Sequence, residues 1–171
     1  MRVGIVTISD RSARGEREDA TGPALMQRLK IEGWRIDRIE LMADDQEGIE
    51  KLLVEWSDAD DLDLILTAGG TGFSARDRAP EATRAIVERL APGLSEAMRA
   101  GSIKKTPHAM LSRAVAGIRG RTIIVNLPGS PRAAIENLET IIPALPHAVS
   151  LLQEDPQAEE GHSWKPPQPR A

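Results

Sequence analysis

Cysteine and tyrosine are absent from this 171-residue sequence, and its aromatic side chains are three Trp and one Phe. Without cysteine the chain forms no disulfide, no thiolate zinc site and no cysteine nucleophile. A surface that binds RNA or single-stranded DNA needs several stacking aromatics, which this chain lacks. Its formal net charge of −4 does not favour binding to nucleic acid either. We therefore expect no nucleic-acid partner.

Long apolar runs are also missing, since no run approaches the roughly 18 residues of a membrane-spanning helix. The opening MRVGIVTISD has a short apolar run that ends at Asp10, and no cleavage site of small residues follows it. This pattern predicts a strand rather than a signal peptide. We therefore expect no membrane association and a location in the cytoplasm.

Buried strands and amphipathic helices alternate along the chain. Apolar, β-branched runs predict strands at 3–9, 35–41, 62–67 and 121–127, with a hairpin partner for the last at 114–118. Helical periodicity and capping signals predict helices at 21–32, 44–57, 80–90, 92–100 and 131–152, with Pro143 and Pro146 kinking or splitting the last one. The charged segment 10–19 is predicted to be a loop.

This alternation is typical of an α/β fold, a three-layer α/β/α sandwich with a mostly parallel sheet. Hydrophobic residues make up 40% of the chain, enough for one core. We expect a single domain over residues 1–152. The polar, Pro-rich segment 153–171 is predicted to be a disordered tail.

Three loops of unusual composition follow predicted strands, at 9–19, 68–77 and 126–130. Ligands of such sheets bind outside the carboxyl ends of the strands, so these loops are expected to converge. The run Gly69-Gly70-Thr71-Gly72 has two interpretations, a tight turn or a loop whose backbone N–H groups cradle an anion. Its spacing matches neither a Walker loop nor a dinucleotide fingerprint.

Two aspartates lie near these loops. Asp44, with Glu47 three residues on, is predicted to cap the helix that starts there. Asp77, between Arg76 and Arg78, has the sequence context of a salt-bridged turn residue. Taken together they have a second interpretation, because two carboxylates with substrate phosphates is a usual way to hold Mg²⁺.

A long stretch without acidic residues adds a hint about the ligand. Residues 97–135 contain no Asp or Glu but carry seven basic side chains. This composition suits either a polyanionic ligand or a basic surface that faces an acidic neighbouring subunit.

Five segments occur in the order seen in the MoaB/Mog family of molybdenum cofactor biosynthesis proteins. They are VGIVTISDR, ADDQEGI, LILTAGGTGFSARDRAPEAT, LSRAVAG and IIVNLPGSP. The chain resembles the molybdopterin adenylyltransferase branch of this family, over residues 2 to about 150.

The resemblance implies the molybdenum cofactor biosynthesis protein fold and a homotrimer. It implies transfer of AMP from ATP to the terminal phosphate of molybdopterin, with release of pyrophosphate and a requirement for Mg²⁺ or another divalent metal. Hand-over of the product to the molybdate-inserting enzyme is implied as well. By position, Asp44 and Asp77 match the catalytic, metal-holding acids. The substrate-binding positions fall on Ser9, Asp10, Gly69, Gly70, Thr71, Gly72, Ser102, Ser112, Asn126, Pro128 and Gly129.

The chain departs from the family pattern at Ala43, Ala68 and Ala79, where the family often has Pro, Thr and Thr. None of these changes removes a carboxylate or a loop glycine. Two alternatives to the transferase stay open at this point: a non-catalytic molybdopterin-binding paralogue, and a nucleotide-pyrophosphate hydrolase with a related domain.

Overall fold

The computed structural model describes residues 1–158. In this part of the chain six strands form one sheet in the order β2-β1-β3-β6-β5-β4. The strands are β1 (Arg2–Ile8), β2 (Arg35–Met42), β3 (Leu64–Ala68), β4 (Arg89–Leu90), β5 (Ala116–Arg119) and β6 (Thr122–Leu127). β5 runs antiparallel to β4 and β6, and the other pairs are parallel, which confirms the mostly parallel sheet and the β5–β6 hairpin.

Helices cover both faces of the sheet. They are α1 (Asp10–Ala13), α2 (Thr21–Ile31), α3 (Gln46–Asp58), α4 (Ala79–Ile86), α5 (Pro92–Ile103), α6 (Pro131–Ile141) and α7 (Leu145–Leu152), with a 3₁₀ helix at Pro107–Leu111. The predicted last helix is thus split into α6 and α7. Ser130 caps α6 as expected, since its side chain accepts a hydrogen bond from the Ala133 N–H.

Alternating strand residues build a separate core on each face. Val3 and Ile5 pack with α2, α5, α6 and α7, whereas Val6 and Ile8 pack with α3 and α4. A strand buried on both faces is continuously apolar, which explains the unbroken run at the start of the chain. The two cores and the sheet between them form the predicted three-layer sandwich.

Two predicted boundaries were wrong. The segment 10–19 begins with a helical turn, α1, because the Ser9 side chain accepts a hydrogen bond from the Ser12 N–H. The helix predicted over 80–90 ends at Ile86, and Arg89–Leu90 instead pairs with β5 at the sheet edge. Pairing with β5 satisfies backbone N–H and C=O groups of this segment. The side-chain pattern of the segment is that of a helix and gives no sign of this pairing.

The chain after α7 continues in turns through residues 153–158. Gln153 Nε2 donates to Asp63 Oδ1 over 3.0 Å, and Ala158 is buried. The rest of the predicted tail, 159–171, lies outside the described residues. None of the helices in residues 1–158 has the length and apolar character needed to span a membrane.

Candidate functional site

The carboxyl ends of β1, β3 and β6 meet at one edge of the sheet. The Gly69 N–H donates to the Leu127 carbonyl over 3.0 Å, which joins the loops after β3 and β6. A β-carbon on Gly69 would collide with the Ile8 carbonyl, and one on Gly129 would lie 3.2 Å from the Gly69 α-carbon. The three loops therefore converge, as the sequence predicted.

The glycine loop, residues 69–72, leaves most of its backbone donors unpaired. Gly69 and Gly70 have φ values of +117° and +59°, which L side chains rarely adopt. Within residues 1–158, the N–H groups of Gly70, Thr71 and Gly72 donate to no protein acceptor. Successive free N–H groups in such a turn form an anion-binding concavity.

Asp44 does not cap α3, contrary to the prediction. The cap is Asp45, whose Oδ2 accepts from the Gly48 N–H over 2.9 Å. Asp44 instead points toward the glycine loop, and its Oδ1 accepts from the Arg78 N–H over 2.9 Å. Its own N–H donates to Asp10 Oδ1 over 3.0 Å, so Asp10 helps to fix its position. The one-residue shift frees the Asp44 carboxylate for another role.

Ionisation of the Asp44 carboxyl group is unfavourable in this environment. Partial burial raises its pKa above the usual value, and the hydrogen bond from the Arg78 N–H only partly opposes this effect. The nearby carboxylates of Asp77, Asp10 and Glu81 raise the pKa further. A cation between these groups would relieve the repulsion, which is a reason to consider a metal here.

Asp77 lies on the other side of the glycine loop. Its Oδ2 accepts from the Ser74 N–H over 2.8 Å and would lie 2.9 Å from a β-carbon on Gly72. The predicted salt bridge to a flanking arginine is absent in residues 1–158, because Arg76 pairs with Asp10 instead, over 3.4 Å. Asp77 is therefore a half-buried carboxylate with no counter-ion in the described chain.

Arg113 clamps the loop that carries Asp77. Its guanidinium donates to the Gly72 carbonyl through Nε and to the Asp77 carbonyl through Nη2, each over 2.6 Å. Nη1 pairs with Glu81, and the Arg113 N–H donates to the Thr71 carbonyl over 2.9 Å. Sequence reasoning missed this role, although Arg113 lies in the LSRAVAG segment beside Ser112.

The remaining candidate residues line recesses around the glycine loop. One is a cavity of about 280 Å³ between α5, α6 and the 3₁₀ helix, another a cleft of about 590 Å³ against α2. The cavity takes in Thr71, Gly72, Ser102, Ser112 and Pro128, whereas the cleft takes in Ser9, Gly69, Gly70 and Gly129. Asp10 and Asp44 border an acidic recess toward α3. A two-part ligand could thus lie across the loop.

Asn126 is placed beneath the site rather than in it. It is fully buried, and its Nδ2 donates to Thr67 Oγ1 over 2.8 Å and to Thr83 Oγ1 over 2.7 Å. Its Oδ1 accepts from the Val115 N–H over 3.0 Å. The side chain joins β3, α4 and the residue that precedes β5. It positions the site and does not face a cavity.

The basic stretch 97–135 does not form one surface. Lys105 and Arg99 line the cavity, although Lys105 pairs with Glu136 and Arg99 donates to the Ser112 and Ala114 carbonyls. Arg119 pairs with Asp58 at the opposite edge of the sheet. The hairpin between β5 and β6 reverses the chain, so this stretch points its charges to both ends of the sheet.

The protein offers a metal ion two carboxylate ligands at this site rather than a complete set of ligands. No group of three or more His, Cys, Asp or Glu side chains in residues 1–158 is arranged to hold an ion. Asp44 lies beside Gly70 and Asp77 beside Gly72, the first and last residues of the run with free N–H groups. This set fits Mg²⁺, which commonly takes one or two carboxylates and completes its shell with water and substrate phosphates.

Comparison with known proteins places the chain in a family. The model of the probable molybdopterin binding domain family matches residues 4–147. The molybdopterin adenylyltransferase of Helicobacter pylori is 39% identical over 156 residues, which cover 89% of this chain and 88% of that protein. The one from Escherichia coli is 41% identical over 143 residues, which cover 82% and 73%.

The fold comparison gives the same result. The crystal structure of MoaB, a molybdopterin biosynthesis enzyme of Thermus thermophilus, is 52% identical with a TM-score of 0.85. The match covers 91% of this chain and 98% of that one. With a family model that spans most of its length and relatives near 40% identity, the chain belongs to the probable molybdopterin binding domain family, the MoaB/Mog family that its motifs resemble.

Proposed function

We propose that the protein is a molybdopterin adenylyltransferase, which transfers AMP from ATP to the terminal phosphate of molybdopterin and releases pyrophosphate. The observation that carries this proposal is the pairing of Asp44 and Asp77 across a glycine loop with free N–H groups. Relatives named for this activity match most of the chain and support it.

The substrates are assigned to the two sides of the loop. The apolar cavity near Ser102 and Ser112 suits the flat pterin ring, and the cleft near Ser9 suits the nucleotide. The acceptor phosphate then lies against the N–H groups of Gly70 to Gly72. Both ligands reach the loop, so the two reacting phosphates meet there, and this positioning is a large part of the catalysis of such transfers.

Charge is the main obstacle to this reaction, because one phosphate must approach another. Asp44 and Asp77 would hold Mg²⁺, and the bound ion would neutralise part of the negative charge of the triphosphate. The loop N–H groups bind the acceptor phosphate and stabilise charge without reorganising. Asp44 and Asp77 need not remove a proton, since a phosphate monoester is already ionised near pH 7. Arg113 keeps the Asp77 segment in place during the transfer.

The test is pyrophosphate release by the purified chain with ATP and Mg²⁺, with and without molybdopterin. The transferase releases pyrophosphate only when molybdopterin is present. Molybdopterin binding without release would identify a non-catalytic paralogue. Hydrolysis of ADP-ribose without molybdopterin would identify a nucleotide-pyrophosphate hydrolase.

Assembly and location follow from the same proposal. We propose a homotrimer and hand-over of the adenylylated product to the molybdate-inserting enzyme. Light scattering of the purified chain gives the mass of the assembly directly. A location in the cytoplasm stays a prediction from the sequence.

A further inference from the structure

Asn137 is a buried polar residue on the apolar face of α6, and it borders the 280 Å³ cavity. Its Nδ2 donates to the Ala133 carbonyl over 2.8 Å and to Ser102 Oγ over 3.0 Å. Ser102, on α5, borders the same cavity. Asn137 has no role in the transfer reaction as proposed above.

The hydrogen bonds of Asn137 fix which of its atoms is the amide nitrogen. A carbonyl oxygen only accepts, so the atom beside the Ala133 carbonyl must be the NH₂ group. That same nitrogen therefore donates to Ser102 Oγ as well. Both N–H bonds of Asn137 are used, and Ser102 acts as the acceptor.

The polarity of the Ser102 hydroxyl follows from this. Because its oxygen accepts from Asn137, its hydrogen is left to donate elsewhere. Within residues 1–158 this hydroxyl donates to no protein acceptor. Asn137 Oδ1 likewise has no donor there, and it is not sealed from solvent. Two residues that border the cavity thus have an unused hydroxyl donor and an unused amide acceptor next to each other.

We propose that Ser102 and Asn137 form a donor–acceptor pair that selects ligands carrying a cyclic amide edge. Such an edge presents C=O beside N–H, the complement of O–H beside Oδ1. This inference rests on the proposed function, in which the cavity takes a pterin ring, and pterins carry that edge. Asn137 binds one half of the edge and orients Ser102 for the other. An analogue with an amino group in place of the carbonyl sets a ring-nitrogen acceptor against the Asn137 Oδ1 acceptor, and it offers no carbonyl to the Ser102 hydroxyl.

The experiment compares two fluorescent probes, 6-hydroxymethylpterin and its 2,4-diamino analogue, by direct binding to the full chain. The wild type is expected to prefer the pterin by roughly tenfold, the effect of one or two hydrogen bonds. Ser102→Ala and Asn137→Leu are expected to reduce this preference to near unity. Ser95→Ala is the matched control, because Ser95 also lies on α5 and borders the same cavity, but its hydroxyl already donates to the Pro92 carbonyl.

Two results would overturn the inference: an unchanged preference in both Ser102→Ala and Asn137→Leu, or an equal loss in Ser95→Ala. If Asn137→Leu fails a thermal melt, Asn137→Asp keeps the size of the side chain. Its carboxylate accepts from Ser102 and so removes the donor, and it too should lose the preference. The assay needs neither ATP nor turnover, so its failure is distinguishable from failure of the transferase proposal.

Discussion

The carboxylate of Asp44 occupies the space into which a side chain on Gly70 would point. A β-carbon on Gly70 would lie 2.9 Å from Asp44 Oδ1 and closer still to Oδ2. The loop that offers its N–H groups to a phosphate and the acid that faces it are therefore in contact. A change at either residue is expected to affect the other.

Gly70→Ala is expected to lower turnover at least tenfold and to weaken molybdopterin binding. The new methyl group displaces the Asp44 carboxylate, and the positive φ adds a strain of about 1 kcal/mol. Pyrophosphate release and molybdopterin binding are the measurements. Gly120→Ala is the matched control, because Gly120 has a φ of +53° but nothing within 4 Å of a β-carbon. Equal activity in the two variants would contradict the prediction.

Asp44→Asn is expected to abolish most turnover and to raise the melting temperature at pH 7. The amide oxygen of the new asparagine still accepts from the Arg78 N–H. The substitution removes the negative charge of a carboxyl group whose pKa is raised by burial and by its acidic neighbours. Because the folded-state pKa is raised, ionisation of Asp44 destabilises the wild type as pH rises above about 3.8. The melting difference should therefore close below that pH.

The double variant of Asp44→Asn and Asp77→Asn is expected to be little worse than either single variant. Both carboxylates act through one cation, so their effects on turnover are not additive. A further measurement is the stabilisation by Mg²⁺ and ATP, which should fall in each single variant. Near-normal turnover in Asp44→Asn would leave Asp77 as the one catalytic acid.

Arg113→Lys is expected to lower kcat more than it changes the KM for molybdopterin. The three partners of Arg113 are each met by a different guanidinium nitrogen, and lysine has a single nitrogen to replace them. Arg119→Lys is the control, since Arg119 pairs with Asp58 and with the Ile86 carbonyl far from the site. If both variants lose the same activity, Arg113 has a general role in folding and no role in positioning.

Asp63→Asn is expected to lower the melting temperature at pH 7 without affecting turnover. Burial alone would raise the Asp63 pKa, but hydrogen bonds from the Arg2 side chain and N–H hold it below the usual value. The pair therefore stabilises the fold above about pH 3.8 and loses this effect as the carboxylate is protonated at lower pH. Melts of both proteins from pH 7 to pH 2.5 should converge, and a constant difference would contradict this.

The amino-acid sequence determined the elements whose signals are local. The apolar run of β1, the cap of α6 at Ser130 and the break near Pro143 depend on neighbouring residues, and each was predicted correctly. The converging loops followed as well, because parallel strands carry their carboxyl ends to one edge. The glycine loop and the family motifs could also be recognised, because each is a run of neighbouring residues in the sequence.

Only the tertiary structure decided which side chains the site uses and how. In the sequence, Asp44 and Asp45 are equally good candidates for the cap of α3. The structure distinguishes them, because Asp45 caps the helix and Asp44 contacts Gly70 and the Arg78 N–H. Arg113 reaches carbonyls 36 and 41 residues away, and Asn126 turns inward to bond Thr67 and Thr83. Such partners are distant along the chain, so the folded arrangement of the sheet alone brings them together.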